Sequence, residues 1–134
     1  MYESLVSRYL EVMKRLLAKP SCNFAEAYSK DVPEKAGVYA IYDKRVKAMI
    51  YVGRTKNLRR RLLGDHKRGN IRGSQFRKAL KQCFTLKSES DINNYIQKNC
   101  SLQFLAIDEF EEIVRLEHFI TAVLAPTLNI QLKQ

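Results

Sequence analysis

The chain has no uninterrupted apolar run near the about 18 residues that a membrane-spanning helix needs. Its opening segment, MYESLVSRYLEVMKRLL, is broken by a polar side chain every few positions. A secretory signal carries a contiguous apolar block, so this pattern argues against one and makes the cytoplasm the expected location, with no membrane partner. Cysteine is scarce as well: Cys22, Cys83 and Cys100 are odd in number and far apart, with no C-x-x-C pair. Neither a disulfide framework nor a zinc site is suggested, and the thiols are expected to be reduced and structural. There is no internal repeat and no low-complexity stretch. A length of 134 residues with 46% apolar content suits a single domain that builds its own core.

Acidic residues are nearly missing from one segment. Between Arg54 and Lys81 eleven basic residues face a single acidic one, Asp65, whereas the remainder of the chain holds thirteen of each sign. The whole formal charge of +10 is therefore local. A solvated helix face mixes its signs, as Glu11, Lys14 and Arg15 do. A one-signed block is instead the electrostatic footprint of a polyanion binder, and no apolar insertion face accompanies it to favour a membrane. Arg54, Lys56, Arg59, Arg60, Lys67, Arg68, Arg72, Arg77 and Lys78 are the candidate nucleic-acid contacts. Contacts to phosphate alone would carry no sequence information.

The periodicity predicts an amphipathic helix over Tyr2 to Ala18, ended by Lys19-Pro20. A turn-rich linker follows, then two β-type runs, GVYAIY (Gly37 to Tyr42) and MIYVG (Met49 to Gly53), joined by polar residues as a hairpin. A helix opens after Gly53 with Thr55 or Asn57 as its cap, and Gly64 is expected to end or weaken it. Ser74 reads as the cap of SQFRKALKQ, and a further helix is expected from about Ser90 to Lys98. A strand, SLQFLAI, comes next. Asp108 with Glu111 then reads as the opening of a strong helix that Ala125-Pro126 stops. The mixture is α+β. Residues 1–35 form an N-terminal helix and linker that pack on or extend the core, and residues 36–134 form the main domain.

Glu117 stands out on the late helix, because Phe110, Ile113, Val114, Ile120 and Leu124 project within about 60° of it at about 100° per residue. A carboxylate in an apolar stripe needs a cation, which is either a metal or a nearby arginine. On the hairpin, Tyr39 and Tyr51 share a face if the turn holds an odd number of residues, such as Lys44 to Val46. A phenol beside a cation can act on a water, and Arg61 on the next helix can supply positive charge or grip a phosphate.

These residues spell a resemblance. GVY at Gly37 to Tyr39 and YVG at Tyr51 to Gly53 look like the paired signature of the GIY-YIG nuclease superfamily. Arg61 in YVGRTKNLRRRL, Glu117 in RLEHFI and Asn129 in APTLNI follow in family order. The combination resembles the N-terminal nuclease domain of the bacterial excision-repair endonuclease and some restriction enzymes, here expected as a stand-alone catalytic domain. The resemblance covers roughly residues 36 to 130. It implies a small central antiparallel sheet flanked by helices, to which the N-terminal helix is an addition. It also implies one divalent ion, Mg2+ or Mn2+, held by Glu117, and hydrolysis of phosphodiester bonds in DNA. By the same resemblance Tyr39 is the general base or orients the water, Tyr51 assists, Arg61 stabilises the phosphate and Asn129 fixes local geometry.

One position departs from the pattern. Many relatives carry histidine four residues after the arginine, whereas here Asp65 stands there and His66 comes next. On an unbroken α-helix His66 points about 140° away from Arg61. A loosened backbone at Gly64 would bring it back, so His66 is a candidate of either kind, phosphate contact or bystander. Two alternatives stay beside DNA cleavage: a nucleic-acid-binding module of the same fold without turnover, and a nuclease acting on RNA. A homodimer or a protein partner would supply targeting.

Overall fold

The computed structural model describes residues 2–132. Four antiparallel strands form one sheet in the order β1-β4-β2-β3: β1 (Cys22–Asn23), β2 (Gly37–Asp43), β3 (Ala48–Thr55) and β4 (Cys100–Ala106). Around it lie α1 (Tyr2–Ala18), a π-helix (Arg60–Lys67), α2 (Gln75–Cys83), α3 (Glu89–Asn99), α4 (Phe110–Leu124) and the short α5 (Thr127–Leu132). This is the α+β arrangement of a small antiparallel sheet with flanking helices. Among the described residues no helix is long and apolar enough to cross a membrane.

Strand β2 is buried along nearly its whole length, because both faces of the sheet are covered. Tyr39, Ile41, Leu102 and Cys100 face one core with Phe24, Leu58, Leu62, Phe76, Leu80, Ile92 and Ile96. Val38, Ala40, Val52 and Leu105 face the other, against Met13 and Leu16 of α1 and Ile113, Leu116 and Ile120 of α4. Alternation along the strands decides which side chain goes to which layer.

The hairpin differs from its expected turn. Its loop is the four residues 44–47, with Lys47 in the left-handed region at φ 56°. The Asp43 carboxylate accepts the Arg45 and Val46 amides at 2.8 and 3.4 Å and so shapes the loop. An even loop alone would put Tyr39 and Tyr51 on opposite faces. A β-bulge corrects the parity: Tyr42 pairs Met49 but Ile41 pairs Tyr51, leaving Ile50 as the extra residue. Ile50 and Tyr51 consequently both pack toward the Tyr39 side of the sheet.

Several local expectations are corrected. The linker after α1 contributes strand β1, and Phe24, Ala27 and Val32 are buried core residues. Asp108 does not cap α4; Glu109 occupies that position without a side-chain cap bond. Pro126 ends α4, yet the chain turns through Ala125 at φ 45° and restarts as α5. Gly64 does not end its helix, which continues through Lys67. Of the two cap candidates, Asn57 is the one used, its side-chain oxygen accepting the Arg60 amide at 3.1 Å. Ser74 caps α2 as expected, accepting the Arg77 amide at 3.0 Å.

Candidate active site

Tyr39 from β2, Tyr51 and Gly53 from β3, Arg61 from the π-helix, Gln75 from α2 and Glu117 from α4 line one open cavity of about 250 Å³. Tyr39 pairs with Gly53 across the hairpin, and its ring lies over that glycine. A Cβ at position 53 would stand 2.4 Å from the phenol carbon and oxygen of Tyr39. A Cβ at Gly37 would meet the Leu105 carbonyl oxygen at 2.2 Å. Each motif glycine is therefore required by close approach, one to the tyrosine and one to the neighbouring strand.

The Tyr39 hydroxyl lies 2.7 Å from Nε2 of His66, and Nδ1 of His66 lies 2.7 Å from Ser74 Oγ. The π-helix explains how a histidine one place late still reaches the site. A π-helix repeats from i to i+5, so the fifth residue stacks over the first, where an α-helix would splay them. Arg61 and His66 are thereby turned to the same side. Around the imidazole, Tyr51 and Phe76 meet it edge-on, with ring centroids at 5.9 and 5.3 Å.

Burial governs the protonation of this cluster. It pushes the Tyr39 phenol well above its ordinary value, Tyr51 adding to the rise and Arg61 opposing it. Tyr51 is also raised, again chiefly by burial. His66 is pushed down to about 3 by burial and by the charges of Arg61 and Arg77, so the imidazole is neutral at physiological pH.

Of the two cations that the sequence allowed for Glu117, a metal or an arginine, the structure places an arginine beside it. Arg54 Nη1 stands 3.1 Å from one carboxylate oxygen, and the Thr121 hydroxyl donates to the other at 3.5 Å. His118 Nε2 is 3.6 Å from the carboxylate on a largely exposed side chain. Glu117 is not sealed in apolar surroundings, since Phe110 on its stripe is exposed and the carboxylate itself lines the cavity. Among the described residues no group of three or more His, Cys, Asp or Glu side chains is placed to hold a metal. A lone carboxylate on an open polar cavity does not suit a closed four-ligand zinc site. It fits a hard cation that keeps most of its waters.

Asn129 lies outside the cavity and holds it together. Its side-chain oxygen accepts the Val52 amide and its amide nitrogen donates to the Val52 carbonyl, both at 2.8 Å. Strand β3 is an edge of the sheet, and this carboxamide satisfies backbone groups between Tyr51 and Gly53 that no further strand pairs.

The basic block divides. Arg54, Lys56, Arg60, Arg68, Arg72 and Lys78 are exposed, and Arg59 and Arg61 are half-buried. Arg59 is spent on the linker, donating to the Val32 carbonyl at 2.8 Å. Two candidate nucleic-acid contacts are corrected. Arg77 has no exposed surface and donates to the His66 and Lys67 carbonyls, Glu89 and Asn93. Lys67 is buried and donates to the Ala27 carbonyl at 2.6 Å. Arg77 serves the end of the π-helix, whose last carbonyls lack partners of their own, whereas Lys67 ties that end to the linker after α1. Gln75 and Thr121 were not singled out by the sequence: each is a common polar residue with no spacing signal, brought to the site by its helix.

Comparison with known proteins agrees with this geometry. The profile of the GIY-YIG catalytic domain matches residues 9–134. The UvrABC system protein C of Dictyoglomus thermophilum is 32% identical over 105 residues, covering 78% of this chain and 14% of that protein. Members of the family are nucleases and generally use divalent metals. With the tyrosine pair, arginine and glutamate lining one cavity and the profile spanning nearly the whole chain, the protein belongs to the GIY-YIG catalytic domain family.

Proposed function

We propose that the protein is a divalent-metal-dependent endonuclease that hydrolyses phosphodiester bonds in DNA. The observation that carries this reading is the convergence of Tyr39, Tyr51, Arg61 and Glu117 from four separate elements on one cavity. Glu117 would hold a single Mg2+ or Mn2+. Such an ion supplies Lewis acidity toward the phosphate and neutralises its developing charge. Arg61, half-exposed at the rim, grips the scissile phosphate through its guanidinium fork. Tyr39 orients the attacking water, and it takes the water's proton as a phenolate, its own hydrogen having first passed to solvent in the cavity; the positive charge of Arg61 favours that form against the effect of burial. Tyr51 packs beside that phenol, ring centroids 6.3 Å apart, and limits its movement. Asn129 keeps β3 in register so that both tyrosines hold their places. The exposed Arg54, Lys56, Arg60, Arg68, Arg72 and Lys78 receive the nucleic-acid backbone.

Digestion of linear, nicked, flapped, branched and single-stranded DNA, and of RNA, with end-labelled products and with or without Mg2+ or Mn2+, tests this. Metal-dependent cutting of at least one DNA substrate supports it, and intact DNA throughout overturns it. The Arg54–Glu117 ion pair favours a second reading, a binding module without turnover in which Arg54 is the permanent partner of Glu117. Mn2+ titration followed by calorimetry separates the two: the nuclease reading requires binding that Glu117→Gln removes. The chain spans about 14% of its relative's length. Targeting through a homodimer or a protein partner belongs to the same proposal.

A further inference from the structure

We infer that Ser74 is a positioning residue for Tyr39: its hydroxyl decides which nitrogen of His66 carries the hydrogen and so turns His66 into a donor to the phenol oxygen. The inference rests on the reading of Tyr39 as the group that handles the attacking water. It follows from counting donors and acceptors in a buried chain of polar atoms.

Ser74 and His66 are each 1% exposed, so water does not reach either. Ser74 Oγ has two contacts. The backbone amide of Arg77 donates to it at 3.0 Å, and His66 Nδ1 lies 2.7 Å away. A serine hydroxyl has one hydrogen and two lone pairs. The amide can only donate, so it occupies a lone pair. The hydroxyl hydrogen then has one acceptor within reach among the described residues, the Nδ1 of His66. Directing it elsewhere would leave a buried donor unsatisfied, and such groups are rare.

The cage around His66 disfavours a second proton, with Tyr51 and Phe76 against the ring and Arg61 and Arg77 as its charged neighbours. Asp65, the acidic group nearest in sequence, is paired with Arg61 at 3.3 Å. A neutral imidazole that accepts at Nδ1 must carry its hydrogen on Nε2. That nitrogen is the one 2.7 Å from the Tyr39 oxygen, so it donates to Tyr39. Among the described residues the phenol hydrogen has no other acceptor, which leaves it the cavity that Tyr39 lines. His66 therefore steadies negative charge on the Tyr39 oxygen and is not the sink for its proton. The opposite tautomer would reverse every bond in the chain and make His66 the acceptor.

Uniformly 15N-labelled protein, free of metal and nucleic acid, tests the assignment through long-range 1H–15N spectra of the imidazoles at pH 7. The chain has two histidines, and a His66→Gln sample identifies the signals of His66. The expected result is one fixed tautomer with the hydrogen on Nε2. A hydrogen on Nδ1, or averaging of the two nitrogens, in the wild-type protein overturns the inference without any variant having to fold. Ser74→Ala should bring the two nitrogen shifts together, and Ser74→Thr, which keeps hydroxyl and cap, should retain the fixed form. An unchanged spectrum in Ser74→Ala also overturns it. Cleavage should fall about 10–100-fold in Ser74→Ala and recover in Ser74→Thr, the range typical of residues that orient a catalytic group. The spectra need no turnover. Absence of nuclease activity would therefore remove the proposed function and leave this assignment standing, whereas the wrong tautomer in an active enzyme would remove the role of Ser74 alone.

Discussion

Replacing Asn129 by alanine should damage this protein far more than the loss of one surface polar group would. The carboxamide is 8% exposed and makes two 2.8 Å hydrogen bonds to the amide and carbonyl of Val52, a residue with no exposed surface. Truncation leaves one buried donor and one buried acceptor unpaired, at about 1–3 kcal/mol each, or about 2–6 kcal/mol together. A domain stable by about 5–15 kcal/mol loses a large share of that margin. Urea unfolding of wild-type and Asn129→Ala protein measures the difference, and hydrogen exchange at the Val52 amide reports its location. Asn129→Asp is the informative companion: it keeps an acceptor for the amide but sets a charged oxygen against the Val52 carbonyl, so it should rescue little. Because Val52 lies between Tyr51 and Gly53, cleavage under conditions where the variant is still folded should fall too. A loss below about 0.5 kcal/mol, within the usual range for surface substitutions, with Val52 still slow to exchange, would refute the reasoning.

Three further outcomes are expected. Tyr39→Phe keeps the packed ring and should retain the fold while lowering the cleavage rate by about 10²–10⁴-fold, the range for a lost general base; near-normal cutting would remove Tyr39 from the chemistry. Arg77→Met should cost about 2–6 kcal/mol in urea unfolding by stranding the His66 and Lys67 carbonyls, whereas Arg72→Ala or Lys78→Ala should leave stability unchanged and lower the salt slope of DNA binding by about 1. Stability should depend on pH through His66. Its folded value is depressed to about 3, so the unfolded chain takes up a proton that the folded one refuses. The contribution of His66 is complete above the unfolded value of about 6.5 and is lost as pH falls from there toward the folded value, by up to about 1.4 kcal/mol per pH unit. Urea unfolding across that window, compared between wild type and His66→Gln, should show a shallower slope in the variant.

Much of this was legible in the chain because it depends on local rules. Apolar spacing placed α1, α4 and the two hairpin strands, and Ser74 announced the start of α2. The order of Tyr39, Tyr51, Arg61, Glu117 and Asn129 pointed to one site through the family resemblance. Other features depend on register and on who meets whom. Whether Tyr39 and Tyr51 share a face turned on a bulge at Ile50, which compensates an even loop and has no signature in composition. His66 looked misplaced on an α-helix, and the π-winding that restores it is a property of the backbone between Arg60 and Lys67. Charge alone could not separate Arg72 and Lys78 from Arg77 and Lys67, since a basic side chain reads the same in sequence whether it meets solvent or backbone carbonyls inside the fold. Glu117 shows the same division. Its stripe of apolar neighbours demanded a cation, but only the folded chain brought Arg54 within 3.1 Å of a carboxylate that also lines the cavity. Periodicity fixes which side of an element a residue faces, while its partner there is decided by the packing of elements distant along the chain.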